Sequence, residues 1–193
     1  LALTSFAALP FAFSGLGLSY TDAFFEAMSG LTTTGATIIT ELDEAPPGIL
    51  LWRALLQWFG GIGIIVMAIS VLPMLNVGGM QLFRLESSDT SEKILPRTAQ
   101  IAGSITRLYF FITGSCLLAY WLAGMSFFDA AAHAMTTIAT GGFSTRDASL
   151  AAFSAPAIEV VAIVFMLASS LPFVAYLQSV SYTHLRAHET HEN

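Results

Sequence analysis

Four stretches of the chain, 1–18, 54–75, 108–128 and 160–180, contain no charged residue. About 20 consecutive apolar residues are enough to cross the hydrocarbon core of a bilayer. One such run is compatible with the central helix of a large soluble domain, but four within 193 residues leave too little polar surface to coat one. Bulk composition agrees: 55% of residues are hydrophobic and 10% charged, with a mean hydropathy of +0.71, whereas soluble domains are about one quarter charged. The chain is therefore expected to be an all-α integral membrane protein. The run 1–18 has no initiator Met, no basic segment ahead of it and an internal Pro10, so it is expected to be the end of a membrane helix rather than a signal peptide.

Between these runs one element occurs twice. Ser19-Tyr20-Thr21-Asp22 opens a stretch of small and apolar residues that ends in Thr33-Thr34-Gly35-Ala36-Thr37. Ser126-Phe127-Phe128-Asp129 opens another that ends in Thr140-Gly141-Gly142-Phe143-Ser144. Asp22 and Asp129, Met28 and Met135, and Gly35 and Gly142 all lie 107 positions apart. Ser-x-x-Asp predicts a helix start, because the hydroxyl and the carboxylate satisfy N–H groups that lack a partner in the first turn. The helix that follows has about three turns and is too short to span, so it is expected to enter the membrane and return. Non-helical backbone at that depth is tolerated only where it is buried in protein or lines a water-filled path. The helix C-terminus would turn unpaired carbonyls toward the middle of the membrane and favour a cation there. Gly in the segment that follows permits a backbone turn other residues resist, and backbone carbonyls can replace a cation's hydration shell.

Charge placement predicts the orientation. The segment 76–107 carries Arg84, Lys93, Arg97 and Arg107, while 19–53 carries only Arg53 and 129–156 only Arg146. By the positive-inside rule the first of these is cytoplasmic, and both Thr-x-Gly segments open to the other side. Asp22, Glu41, Asp43, Glu44 and Asp129 lie on that side, an acidic excess that raises the local cation concentration. A net charge of −6 argues against nucleic acid as a partner, and the single Cys116 excludes a disulfide framework.

The repeated unit resembles the membrane helix, pore loop, membrane helix units of the TrkH/KtrB/HKT superfamily of potassium transporters. The stretches Met28-Ser29-Gly30-Leu31-Thr32-Thr33-Thr34-Gly35-Ala36-Thr37 and Thr137-Ile138-Ala139-Thr140-Gly141-Gly142-Phe143-Ser144-Thr145 are most like its bacterial TrkH branch, as is Gly78-Gly79-Met80-Gln81-Leu82. The resemblance implies potassium uptake across a bacterial inner membrane by a multi-pass protein in the lipid bilayer. It implies potassium held by a selectivity filter at Thr33, Thr34, Gly35 and Ala36 and at Thr140, Gly141, Gly142 and Phe143, with no organic cofactor and no enzymatic activity. A homodimer and a cytoplasmic nucleotide-binding TrkA-type regulatory ring are the implied protein partners. The family pore has four units in one chain, so the expected organisation is a fragment of a pseudo-tetrameric pore. Its first unit is 1–75, with pore loop 19–40 and inner helix 54–75. A cytoplasmic connector follows at 76–107. The second unit is 108–178, with outer helix 108–128, pore loop 126–147 and inner helix 157–178, and a non-native tail takes 179–193. Gly35 and Gly142 at the matched filter position, where a Ser goes with sodium permeation in relatives of this superfamily, imply potassium; a sodium-permeable member of the same superfamily is the alternative.

Other features have plainer readings. Gly60-Gly61-Ile62-Gly63 lies inside an apolar run with no strand before it, so close helix packing is expected instead of dinucleotide binding. Arg53 and Gln57, one helical turn apart, are expected to anchor the outer interface, and Glu159 to lie at the start of the last span. His133 stands where the first copy has Glu26, and a capping or packing role is expected for both. His184, His188 and His191 fall on one helix face, but the tail that carries them is expected to be foreign. An intramembrane serine protease using Ser29 and His133 is the rival from another class. The repeat argues against it, because Ser29 aligns with Thr136 and His133 with Glu26.

Overall fold

A computed structural model describes residues 1–71 and 91–170. The chain divides into two compact units, Leu1–Gly63 with Phe111–Ser170, and Ile64–Phe110 with Leu171–Asn193. In the second unit the described residues are helical throughout. The first contains both copies of the repeated element. The expectations for Gly78-Gly79-Met80-Gln81-Leu82, for 171–178 of the last inner helix and for the tail 179–193 lie outside the described residues.

The apolar run 1–18, expected to be the end of a membrane helix, is helical as far as Ala12. It folds as α1 (Ala2–Ala7) and α2 (Leu9–Ala12), followed by Gly15 and Gly17 with φ of +78° and +71°. Pro10 has no N–H to give to Phe6, and the glycines turn the chain out of the helix before it can lengthen. Ala7, Ala8 and Phe11 are buried in a core cluster with Ala23, Ala27, Ile49, Leu50 and Leu56. Trp52 Nε1 donates to the Ala7 carbonyl at 3.0 Å.

The two Ser-x-x-Asp starts cap helices of equal length, α3 (Tyr20–Leu31) and α6 (Phe127–Ile138), each of 12 residues. Ser19 Oγ accepts from Asp22 N at 3.2 Å while Asp22 Oδ2 accepts from Ser19 N at 3.2 Å. At α6, Ser126 Oγ accepts from Asp129 N at 3.1 Å and donates to Asp129 Oδ2 at 2.8 Å.

The long helices differ from their expected bounds. Helix α4 (Pro47–Val71) begins at Pro47 instead of residue 54. Proline is suited to a first turn, where its missing N–H costs nothing, and Arg53, which marked the edge of the apolar run, lies inside the helix. Helix α5 (Ser91–Leu122) starts within the expected connector 76–107. Charges such as Arg97 and Arg107 mark where a helix leaves an apolar layer, not where it ends. The stretch Ala102–Leu122 is long and apolar enough to cross a membrane. At its other end α5 stops at Leu122, short of residue 128. Gly124 adopts φ +109°, with Gly124 N bonded to Trp121 O at 3.1 Å and Met125 N to Tyr120 O at 3.1 Å. That pair of bonds closes a helix on a left-handed glycine. A 3-10 turn (Ser149–Phe153) leads into α7 (Pro156–Ser170).

Gly60 supports the packing reading of its glycine run. A Cβ there would collide with the Leu31 carbonyl, so α4 passes the end of α3 too closely for any side chain. Gly63 has open space and takes no part in this approach. Phe111 and Leu122 on α5 are 72% and 76% exposed, and Val160, Ile163 and Leu167 form an exposed apolar face on α7. A soluble monomer rarely leaves so much contiguous apolar surface to water.

Candidate functional site: two repeated helix-to-strand turns

The ends of α3 and α6 have the same backbone geometry. Thr33 and Thr140 take φ of +54° and +53°, and Gly35 and Gly142 take +79° and +81°. Thr33 N bonds to Gly30 O at 3.0 Å and Thr34 N to Ser29 O at 2.9 Å. In the second copy Thr140 N bonds to Thr137 O at 3.0 Å and Gly141 N to Thr136 O at 2.9 Å. Each helix thus ends in a Schellman-type closure with threonine, not glycine, in the left-handed position. Some of the carbonyls expected to be unpaired at the helix ends, those of Ser29 and Gly30 and of Thr136 and Thr137, are taken up by these closures. A β-branched residue in that conformation is a conformational outlier, and such strain persists where the surrounding structure imposes it, commonly at functional sites.

After the turns, Thr34, Ala36, Thr140 and Gly142 are exposed, Thr33 and Gly35 are half-buried, and Gly141 and Phe143 are buried. The two segments meet: a Cβ on Gly35 would collide with the Gly141 carbonyl oxygen. The Phe143 ring, in contrast to Ala36 at the matching position, turns inward.

Both segments are held by side chains of the helix that precedes them. Glu26 accepts from Thr37 Oγ1 at 2.9 Å and from Ile38 N at 3.1 Å, and Ser29 Oγ donates to Ala36 O at 2.6 Å. His133, the counterpart of Glu26, bonds through Nε2 to Ser144 Oγ at 3.0 Å, and Ser144 is the counterpart of Thr37. Its Nδ1 lies 2.8 Å from the Asp129 carbonyl, an acceptor only, so Nδ1 carries the proton and Nε2 accepts from the Ser144 hydroxyl. The packing role expected for Glu26 and His133 is thus a specific one, in which a polar side chain on each helix ties down the strand it has just produced. Ser29 and His133 bond different partners, Ala36 and Ser144, and do not form a dyad.

Arg53 and Gln57 are not interfacial anchors. Their relative exposures are 1% and 0%. Arg53 Nε donates to Glu26 Oε1 at 2.8 Å, Arg53 Nη1 donates to the Ser144 carbonyl at 2.8 Å, and the guanidinium lies 4.2 Å from the centre of the Phe143 ring. Gln57 Oε1 accepts from Phe143 N at 3.0 Å. Isolated buried charge is too costly to retain, so the pair exists because each member neutralises the other. One helix, α4, thereby links the first short helix to the second candidate segment. Glu159 is exposed, as expected for the start of α7.

A second link lies beyond the segments. Asp147 accepts from Leu42 N at 2.9 Å and from Asp43 N at 3.4 Å, and Arg146 bonds Asp43 at 3.3 Å and Asp129 at 3.1 Å. The N–H of Leu42 foremost holds the Asp147 carboxyl below the usual range. A depressed carboxyl contributes its stability at neutral pH and loses it as pH falls through the lowered value, so this loop tie persists through neutrality.

The full length of the chain, residues 1–193, matches the family described as TrkH, cation transport protein. The chain belongs to the TrkH family. It is 48% identical to the Trk system potassium uptake protein TrkI of Halomonas elongata over 177 residues, 91% of this chain and 36% of that protein. It is 47% identical to the Trk system potassium uptake protein TrkH of Escherichia coli K12 over 189 residues, 96% of this chain and 39% of that protein. Among solved structures, the crystal structure of the potassium transporter TrkH from Vibrio parahaemolyticus superposes with a TM-score of 0.79 at 46% identity, covering 90% of this chain and 34% of that one. The chain therefore spans little more than a third of the length of these relatives. Members of the TrkH family are membrane transporters, which accounts for the outward apolar faces of α5 and α7. Sequence reasoning missed what Arg53 and Gln57 do in this TrkH-family chain, although a signal was present: a lone Arg followed by a Gln inside an apolar helix requires polar partners.

Proposed function

We propose that this chain supplies two units of a potassium-selective pore, with Thr33, Thr34, Gly35 and Ala36 and Thr140, Gly141, Gly142 and Phe143 contributing backbone to an ion filter. The observation that carries the reading is the duplicated backbone pattern, left-handed Thr followed two residues later by left-handed Gly, on two short helices whose segments touch. The relatives' names, which specify potassium uptake, support the choice of ion. Thr34, Ala36, Thr140 and Gly142 remain open to an ion, and Phe143 takes part through its backbone while its ring packs inward. The α3 and α6 helices, 12 residues or about 18 Å long, enter and return without crossing. The further units that close such a pore, the homodimer, the TrkA-type ring on the cytoplasmic side and the bacterial inner membrane belong to the same proposal.

Gly142→Ser tests the selectivity. At φ +81° a side chain is disfavoured although the space around a Cβ is open, so the protein should fold while the carbonyls on either side shift. In a bacterial strain lacking its own potassium uptake, the intact transporter with Gly142→Ser is expected to show a lower ratio of potassium to sodium uptake than wild type. An unchanged ratio would remove the assignment of Gly142 to the filter.

The orientation has its own test. With Cys116→Ala as background, a Cys at Asp43 should react with a membrane-impermeant thiol reagent on intact cells, and a Cys at Asp89 should be protected. The reverse pattern would place both filters on the cytoplasmic side.

A further inference from the structure

We propose that Gln57 is a positioning residue for the second filter: it fixes the Gly142–Phe143 peptide so that the Gly142 carbonyl faces away from α4. The proposal rests on reading 140–144 as an ion filter. Phe143 N–H points at Gln57 Oε1, 3.0 Å away. A trans peptide is planar with its N–H and C=O opposed, so a donor aimed at α4 obliges the Gly142 oxygen to point the other way, toward the exposed side of the segment. Two residues later the direction reverses, because Arg53 Nη1 takes the Ser144 carbonyl at 2.8 Å. The backbone between them contains Gly142 at φ +81° with nothing within 4 Å of a Cβ position, so packing at Gly142 does not hold this peptide in one orientation. Gln57 supplies the hold. It is fully buried, and a Cβ on Gly141 would overlap its amide, which places it directly behind the segment.

The rest of the amide shows what Gln57 is for. Its Nε2 is buried and has no hydrogen-bond partner among the described residues. Half of the side chain's bonding capacity is left unused while the acceptor half is kept on a single backbone N–H. A residue present for packing alone would be apolar at this depth, since a buried amide with an unmade bond is a net cost. In the first segment Ser29 and Glu26 of its own helix hold the Ala36 carbonyl, the Thr37 hydroxyl and the Ile38 N–H, beyond the peptide that corresponds to Gly142–Phe143.

The test is carried out on the intact transporter in a strain lacking its own potassium uptake, comparing potassium and sodium uptake at measured membrane abundance. Gln57→Met removes the acceptor at similar length. It is expected to lower the potassium-over-sodium ratio by about fivefold, the equivalent of one net hydrogen bond. Gln57→Glu has the same shape, and at this fully buried position without a countercharge of its own the carboxyl keeps its proton; its carbonyl oxygen still accepts from Phe143 N–H, so this variant is expected to stay near the wild-type ratio. The ratio separates positioning from folding, because a protein that merely assembles poorly loses uptake of both ions together. If Gln57→Met fails to reach the membrane, Gln57→Asn, one methylene short of Phe143, carries the same expectation. Wild-type ratios in Gln57→Met or Gln57→Asn, or equal losses in Gln57→Met and Gln57→Glu, would overturn the proposal and leave the filter reading intact. A wild-type protein that takes up neither ion would overturn the filter reading itself, and this proposal with it.

Discussion

Arg53→Met should destabilise the folded protein by about 3–5 kcal/mol, because it leaves the Glu26 carboxylate buried without its countercharge. Glu26 has a relative exposure of 0% and Arg53 of 1%, so water cannot replace the missing partner. The loss should exceed the value of one bond, since Arg53 also serves the Ser144 carbonyl and the Phe143 ring. Glu26→Gln should be costly as well, leaving a buried guanidinium. The double variant Glu26→Gln with Arg53→Met should be less destabilised than the sum of the two, as no charge is then stranded. Thermal unfolding of the detergent-solubilised transporter, followed by the recovery of monodisperse protein after heating, gives all four values. Additive losses would mean that the two residues are not coupled and that the buried pair is no more than a proximity.

Gly35→Ala should abolish cation uptake. Two obstacles act together: φ of +79°, which costs a residue with a Cβ about 1–2 kcal/mol, and the Gly141 carbonyl oxygen, which occupies the place of that Cβ. The second cannot be relieved by a rotamer change, because the obstacle is backbone of the other segment. Gly142→Ala meets only the first obstacle and should retain uptake at reduced selectivity. Thr33 and Thr140, already left-handed with full side chains, show that strain by itself is tolerated in these turns. Rubidium tracer uptake by the intact transporter distinguishes the two variants. Comparable uptake by Gly35→Ala and Gly142→Ala would show that the two segments do not touch in the membrane as they do here.

What could be read directly from the residues was local. Ser19 with Asp22 and Ser126 with Asp129 announced two helix starts because a cap is formed within four residues. The matched Gly35 and Gly142 announce two turns because conformational freedom belongs to glycine itself, whereas the left-handed Thr33 and Thr140 are not legible, since a β-branched residue resists that conformation. Helix bounds are less legible where one signal stands for another: a charge at Arg53 reads as the edge of a span, but its partner Glu26 is 27 positions away and only the folded chain shows the charge neutralised. The run 1–18 reads as continuous by hydropathy, which is blind to the missing N–H of Pro10 and to the left-handed Gly15 and Gly17. The direction of the Gln57 side chain, toward the backbone of Phe143, is set by how α4 passes the second turn and has no counterpart in sequence spacing.

The helix α4 belongs by sequence to the first repeat, yet two of its buried polar side chains, Arg53 and Gln57, bond the backbone of the second, Arg53 while also pairing with Glu26 of the first. Arg53 and Gln57 lie six and ten residues past Pro47 at the start of α4, and the residues six and ten past Pro156 at the start of α7 are Ala162 and Met166, neither of which can offer a guanidinium or an amide. Repeats related by duplication are often treated as interchangeable cassettes, with the natural cut made between them. In this chain such a cut would separate a lock from the part it fits. A hybrid that exchanges 126–147 with another transporter must bring that protein's own α4 along, and the inheritable module is therefore an inner helix together with the turn that follows it in the next repeat.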